Sequence, residues 1–435
     1  MSKTVFALVG NGPLTNRGCQ AIVLGTRLIL EREFGDSDFL LASFAQDSVD
    51  SLPENVEPLA LRHERPRWSR AWWQYQASKL LRRPEDKSGF LEPLTAALRD
   101  REAPKAGLTI GGDGYSIDYG HFVIDRLVIM DEFLKSLCVP VIVWGASVGP
   151  FSREPEFERI MARHLAQLDL VVVRERRSFD YLRGLGLERN LRLAPDPGFV
   201  LPSTACALPD PVARLLEQPC LGVNLSPLLA RFAAGNDMER WRKLATDCIA
   251  GLLTSFNLGI VLVPHVCSAT FSVNQDDELL LRAVYERLPR DLRTRVALAP
   301  RGLSCENLKW LIGRTHAFIG ARMHATVAAL SAGVPCILLA YSRKAWGVAE
   351  LVYGDSAWVI SPEELTPSAL TERTACLLRE HGRVKRVLNM RLPALRRDAL
   401  AAGREVREVC GDLPVHGDTI PHRVPQSLFA AGAAC

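Results

Sequence analysis

The strongest constraint on this chain is a rhythm of short, continuously apolar runs. Each ends abruptly in a glycine, proline or polar turn, and an amphipathic stretch follows. Runs at 4–9, 108–110, 139–144, 170–173 and 191–194 end at Gly10, Gly111, Gly145, Arg174 and Pro195. The pattern then restarts, with runs at 221–224, 259–263, 295–298, 316–319 and 336–340. Helical periodicity fills 20–33, 239–255, 276–288, 305–313 and 322–332. Strands that are apolar on both alternations suit parallel sheets, which are covered on both faces. Strand–helix alternation, run through twice, predicts an α/β chain with two Rossmann-like, doubly wound domains facing a cleft.

The 435 residues suit two to three domains. Pro202, Pro209, Pro211 and Pro219 mark the join. The expected division is an N-terminal domain over 1–205, a C-terminal domain over 206–375 and a helical tail over 376–435. Within the tail, 380–409 reads as a charged helix broken near Pro393 that packs on either domain. Hydrophobic residues at 48% and charged residues at 23% exclude disorder and low complexity. A net charge of +4, with no basic run on one helix, excludes a nucleic-acid binder. Eleven cysteines without a CxxC pair read as reduced thiols, so neither a disulfide framework nor a metal site is expected. The first apolar run is too short for a signal-peptide core, and no run approaches the roughly 18 residues of a membrane span. A cytoplasmic protein is expected. One segment departs from the rhythm: 62–88 mixes Trp68, Trp72, Trp73 and Tyr75 with eight Arg and Lys residues. It reads either as a lid that touches an acceptor or a lipid surface, placing the protein peripherally at the inner face of the membrane, or as a solvated insertion packed on its own domain.

Open parallel sheets bind ligands outside the carboxyl ends of their strands, so the residues just after each run are the candidates. The turn 10–21 opens a helix and is glycine-rich, either as an anion site or as a plain strand–helix link. Within it, Asn16 either shapes the loop or touches an acceptor hydroxyl. Gly111 and Gly112 expose backbone N–H groups, and Asp113 stands beside them as a proton acceptor, a sugar ligand or an Asx-turn residue. Arg174 suits bidentate binding of a carboxylate or phosphate; the alternative is an ion pair with Glu175 or Asp196. Arg322 and His324 fall together at the start of an apolar helix, an anion site with an adjacent proton-transfer group. Lys344, after the next run, either reaches the same anion or lies on the surface.

Taken in order, NRGCQA, GGDGYSIDYG, VWGASVGPF, VVRERRSFDYL, APDPGF and IGARMHATVAALSAGVPCILLAYSRKAWG resemble the polysaccharide pyruvyl transferase family over about 5–351. Gly18-Cys19 stands where Gly-Asp is usual, and Gly111-Gly112-Asp113 where three glycines are common. Both departures are similar to a colanic-acid-type branch and bear on the acceptor. The resemblance implies a glycosyltransferase-B-like architecture with the site between the domains. It also implies transfer of a pyruvyl group from phosphoenolpyruvate to two hydroxyls of a sugar, leaving a pyruvate ketal and phosphate. Phosphoenolpyruvate is then a co-substrate, and no cofactor is expected. The acceptor is a sugar of a polysaccharide or of its lipid-linked precursor. By resemblance, Arg174, Arg322 and the Met323 backbone hold the donor, and His324 is the acid/base. Asn16, Gly112 and Asp113 serve the acceptor side, with Asp113 the candidate base. Two other functions fit the same pattern: a nucleotide-sugar glycosyltransferase, and a non-catalytic sugar-binding scaffold in polysaccharide assembly.

Overall fold

The computed structural model describes residues 3–44, 52–61, 89–99, 101–267, 275–341 and 344–411. Two parallel sheets organise these residues. The first contains β1 (Thr4–Asn11), β2 (Ser37–Ser43), β3 (Val56–Ala60), β4 (Ala106–Thr109), β5 (Val141–Ala146), β6 (Leu170–Val173) and β7 (Leu191–Leu193), in the order β3-β2-β1-β4-β5-β6-β7. The second contains β8 (Cys220–Asn224), β9 (Gly259–Leu262), β10 (Val296–Leu298), β11 (Ala317–Gly320), β12 (Cys336–Leu339) and β13 (Val359–Ile360), in the order β10-β9-β8-β11-β12-β13. Each order reverses once, between β1 and β4 and between β8 and β11. Such a reversal opens a crevice at the carboxyl ends of the strands.

The alternation within β1 shows why the runs are apolar throughout. Phe6 and Leu8 pack with Ile22, Val23 and Ile29 of the helix Arg17–Phe34, while Ala7 and Val9 pack with Leu127 and Met130 of the helix His121–Ser136. Three strands, β2, β3 and β13, were not expected. β3 is an edge strand carrying Pro58, tolerable there because no neighbour needs its missing N–H. β13 has only two residues, too few for any periodicity.

The terminal helix His381–Cys410 runs unbroken through Pro393, which corrects the expected break. Proline removes the hydrogen bond to the carbonyl four residues back, at Asn389; that residue is exposed, so water can accept in its place. The helix packs on both domains. Val384, Leu388, Leu392 and Leu395 join the core of the second sheet, whereas Ala402, Val406 and Cys410 join that of the first. Arg396 donates to the Ser331 carbonyl at 2.7 Å, and Lys105 to the Gly411 carbonyl at 3.0 Å. The segment 62–88, with its tryptophans, lies outside the described residues. Among the described residues no helix is long and apolar enough to cross a membrane.

Candidate active site

The carboxyl ends of both sheets meet at one connected set of charges. Arg174, just past β6, is 1% exposed and donates in three directions. Its Nη1 reaches Asp196 Oδ2 at 2.7 Å, its Nε reaches Ser147 Oγ at 2.9 Å, and its Nη2 is paired with Asp113 Oδ1. Burial alone would disfavour the guanidinium charge, but Asp113 and Asp196 outweigh it and raise the pKa above its ordinary value. Gly112 makes room for this: it holds a left-handed φ of 58°, and a Cβ there would come within 3.2 Å of Ile22 and 3.7 Å of Arg174 Nη1.

The second domain closes the set from the other side. Lys344 Nζ stands 3.4 Å from Asp113 Oδ2. The lysine is buried, not a surface residue, and burial lowers its pKa against the pull of Asp113. His324, in the first turn of the helix Met323–Ser331, places Nε2 at 3.2 Å from Asp196 Oδ2 and 3.4 Å from Arg174 Nη1. The chain of contacts therefore runs His324–Asp196–Arg174–Asp113–Lys344 across the interface.

Asp196 decides what His324 can do. Burial would raise the Asp196 pKa, but His324, Arg174 and the Gly198 N–H hold it well below the usual carboxylate range. An ionised carboxylate only accepts hydrogen bonds, so the closer contact with Asp196 favours the proton on Nε2 over the acceptor role that Arg174 Nη1 would ask of it. That leaves Nδ1 as the atom able to exchange a proton. On that side the chain is cleared by Gly18, where a Cβ would stand 2.5 Å from Nδ1.

The remaining expected residues fall elsewhere. Arg322 stands just before the same helix but turns away from Arg174. Its Nε and Nη2 reach Asp277 Oδ1 at 3.0 and 2.8 Å, Nη2 also reaches the Gln275 carbonyl at 3.1 Å, and its N–H donates to Asn224 Oδ1 at 2.8 Å. Met323 follows in the first turn, which has no side-chain cap. Asn16 shapes its loop: its side chain accepts from the Gly18 N–H at 3.0 Å, and its backbone bridges to Val266 of the second domain. Of the two ion-pair partners suggested for Arg174, Asp196 is the one used. Glu175 instead caps the helix Arg176–Gly184 through Ser178. Asp196, Asp277 and His265 were not picked out as site residues. Asp196 and His265 each stand one proline past an apolar run, close enough to a strand end for the rule that found Arg174 to reach them.

A buried polar group supports the Asp113 turn. Asp131 accepts from Thr109 Oγ1 at 2.6 Å and from Tyr115 Oη at 2.5 Å, and lies 2.9 Å from His164 Nε2. Burial would lower the His164 pKa, but Asp131 and Glu132 override it and push it up to about 9. A raised pKa means that the charged imidazole stabilises the fold fully below its unfolded value of about 6.5, and that this contribution is lost as pH rises through 9. Thermal melts should therefore fall between those limits, and His164→Gln should flatten that part of the profile. An unchanged slope in the variant would show that His164 is not the group responsible.

The sequence pattern shared by polysaccharide pyruvyl transferases matches residues 16–343, from Asn16 to the residue before Lys344. The chain belongs to the polysaccharide pyruvyl transferase family. As a family member it is a transferase, with a pyruvyl-transfer role in polysaccharide biosynthesis. It is 23% identical over 372 residues to the amylovoran biosynthesis protein AmsJ of Erwinia amylovora, covering 78% of this chain and 84% of that protein. Among solved structures, TcCGT1 in complex with UDP aligns with a TM-score of 0.56 at 14% identity, covering 94% of this chain and 98% of the other. A UDP-N-acetylglucosamine 2-epimerase aligns with a TM-score of 0.54 at 14% identity, covering 95% and 96%. The spinosyn rhamnosyltransferase SpnG aligns with a TM-score of 0.52 at 15% identity, covering 92% and 99%. At such identities the likeness is one of fold, and the fold is the glycosyltransferase-B-like arrangement expected for a pyruvyl transferase of this family.

Proposed function

We infer that this pyruvyl transferase takes its pyruvyl group from phosphoenolpyruvate and places it on two hydroxyls of one sugar, in a polysaccharide or its lipid-linked precursor. One hydroxyl adds to the central carbon of the donor while the methylene carbon takes a proton. The bond to the phosphate oxygen then breaks, its electron pair leaves with phosphate, and the second hydroxyl closes the ketal and releases its proton. His324 Nδ1 is assigned the acid/base role, with Asp196 as the group that orients it. Arg174 and the Met323 N–H are assigned to the donor's anionic groups, with Lys344 beside them; Arg322, held on Asp277, is not. Asn16 and Gly112 shape the acceptor side, and Asp113 is assigned as the base for a hydroxyl.

The observation that carries this reading is the Asp113–Arg174 pair. Asp113 is 23% exposed while Asp196 is 2% exposed, so Asp113 is the carboxylate that can give way. A donor carboxylate or phosphate taking its place on Arg174 Nη2 would release Asp113 to accept a hydroxyl proton. Donor binding and base activation would then be one event.

Incubation with phosphoenolpyruvate and candidate sugars tests this. Acceptor-dependent phosphate release, with an acceptor mass gain of pyruvate less water, is the expected result. Nucleoside diphosphate release from a sugar nucleotide would replace the reading with a glycosyltransferase. Binding without turnover would leave a scaffold.

A further inference from the structure

The segment that joins the two domains is gripped by one short helix, and a charged residue of that helix has no part in the contacts described above. Lys309 lies in the helix Cys305–Gly313 and is buried. Its Nζ donates to the Leu201 carbonyl at 2.6 Å and to the Gly198 carbonyl at 3.4 Å. Among the described residues no carboxylate pairs with it. Burial, with the Arg396 charge nearby, pushes its pKa down to about 7, and Cys305 opposes them. Lysine is almost never buried without a counter-charge, because an ammonium held only by neutral groups is costly. Packing alone would be served more cheaply by methionine or leucine, so the residue is explained by what its ammonium holds.

The two carbonyls belong to the turn that carries Asp196. Asp196 Oδ1 accepts from the Gly198 N–H at 2.8 Å, which leaves Oδ2 for Arg174 and His324. Gly198 therefore touches Asp196 through its N–H and Lys309 through its carbonyl. Neighbouring helices press on the same turn. A Cβ at Gly25 would stand 2.2 Å from the Pro197 carbonyl oxygen, and one at Gly198 would stand 3.2 Å from Val327, three residues after His324. Phe199 joins the core of the second sheet, and Val200 packs against that of the first. The start of the Lys309 helix continues the grip. The Asn307 amide donates to the Thr204 carbonyl at 2.9 Å, and the Thr204 N–H donates to the Glu306 carbonyl at 3.2 Å. The Cys305 N–H donates to Gln20 Oε1 of the first domain at 3.0 Å. Within this clasp, Lys309 makes the contacts nearest to Asp196 in the chain.

We propose that Lys309 is a positioning residue: from the second domain it holds the Gly198–Leu201 turn, and with it the Asp196 carboxylate, where that carboxylate fixes the proton of His324 on Nε2. Asp196 comes from the first domain and His324 from the second, so their contact depends on how the joining segment is set. The helix Cys305–Gly313 packs on the helix Met323–Ser331. An ammonium on the first of these helices thus secures Asp196 against the same domain that carries the imidazole. The consequence for turnover rests on the assignment of His324 Nδ1 as the acid/base; the placement of the carboxylate does not. Lys309 touches neither substrate nor the reacting atoms and acts only through Asp196.

Nitrogen NMR of the full chain with isotope-labelled histidine reads the tautomer of His324, its signals assigned by their loss in His324→Gln. Lys309→Met should move those signals away from the Nε2–H tautomer. It should also lower kcat about 10- to 100-fold, the cost of a small misplacement of a reacting group, with a smaller change in KM for phosphoenolpyruvate. Asn307→Ala loosens the same segment farther from Asp196, and should lower the melting temperature without moving the imidazole signals. A folded Lys309→Met variant with wild-type His324 signals overturns the proposal, and so does an Asn307→Ala variant that moves them as far. Shifted signals at wild-type turnover overturn it too. Should Lys309→Met fail to fold, Lys309→Gln takes its place: the amide keeps a donor but stops one bond short, so a smaller shift in the same direction is expected and no shift overturns the proposal. In a wild type inert toward phosphoenolpyruvate, the shift alone supports the hold on Asp196 and removes the pyruvyl-transfer assignment.

Discussion

Replacing Arg174 by methionine is expected to cost about 3–5 kcal/mol of stability, the loss typical of removing one partner from a buried ion pair. The consequence falls unequally on its two carboxylates. Asp113, at 23% exposure, can turn toward water and keeps Lys344. Asp196, at 2% exposure, cannot move out, and it keeps only His324 and the Gly198 N–H. The stranded charge is therefore Asp196, and most of the loss belongs to it. Denaturant unfolding measures this through the midpoint at constant slope. A loss under about 1 kcal/mol would mean that the pair contributes no more than a surface one. Adding Asp196→Asn should restore part of the loss, since a neutral amide is cheaper to bury than a lone carboxylate. The wild type should also weaken in acid: a depressed carboxyl pKa gives stability that is present above the unfolded value of about 4 and lost as pH falls through the folded one.

What the sequence made legible was the edge at which the candidate site lies, not the pairing within it. Arg174, Asp113, His324 and Lys344 each follow an apolar run, so their place at strand ends could be read from spacing alone. That Asp113 meets Arg174 could not, because they come from β4 and β6, 61 positions apart. Arg322 and His324 show the limit most sharply. Two residues apart, they read as one site. Arg322, however, has extended backbone, with φ −82° and ψ 130°, which sends its side chain back to Asp277, while His324 is already helical and faces Asp196. A helix start changes side-chain direction within two residues, and no periodicity reports it. Asp196 was hidden by its prolines, which mark a turn so strongly that the acid between them read as turn chemistry. Two of the three missed strands have a simpler cause: β3 and β13 are edge strands, which need less apolar sequence than central ones.

His324→Gln is expected to lower turnover by about 10²–10⁴, the usual contribution of a positioned acid or base. Glutamine is the informative replacement, because its amide can still donate to Asp196, so the Arg174–Asp196–Asp113 contacts need not rearrange. Loss of the charge network would show as a shifted melting temperature, and loss of proton transfer would not. The expected signature is a fall in kcat with KM for phosphoenolpyruvate within a few-fold of wild type and melting nearly unchanged. Asp196→Asn should reproduce much of the defect through a different route. An asparagine oxygen still accepts from Nε2, but the amide can turn and donate instead, which reverses the tautomer and puts the proton on Nδ1. The pH profile separates the two variants: Asp196→Asn retains an imidazole able to take and give a proton and should retain a pH-dependent limb. His324→Gln should lose that limb altogether. If His324→Gln instead turns over at the wild-type rate while still melting as wild type does, the imidazole is a structural link between the domains, and proton transfer must be reassigned to Asp113 and Lys344.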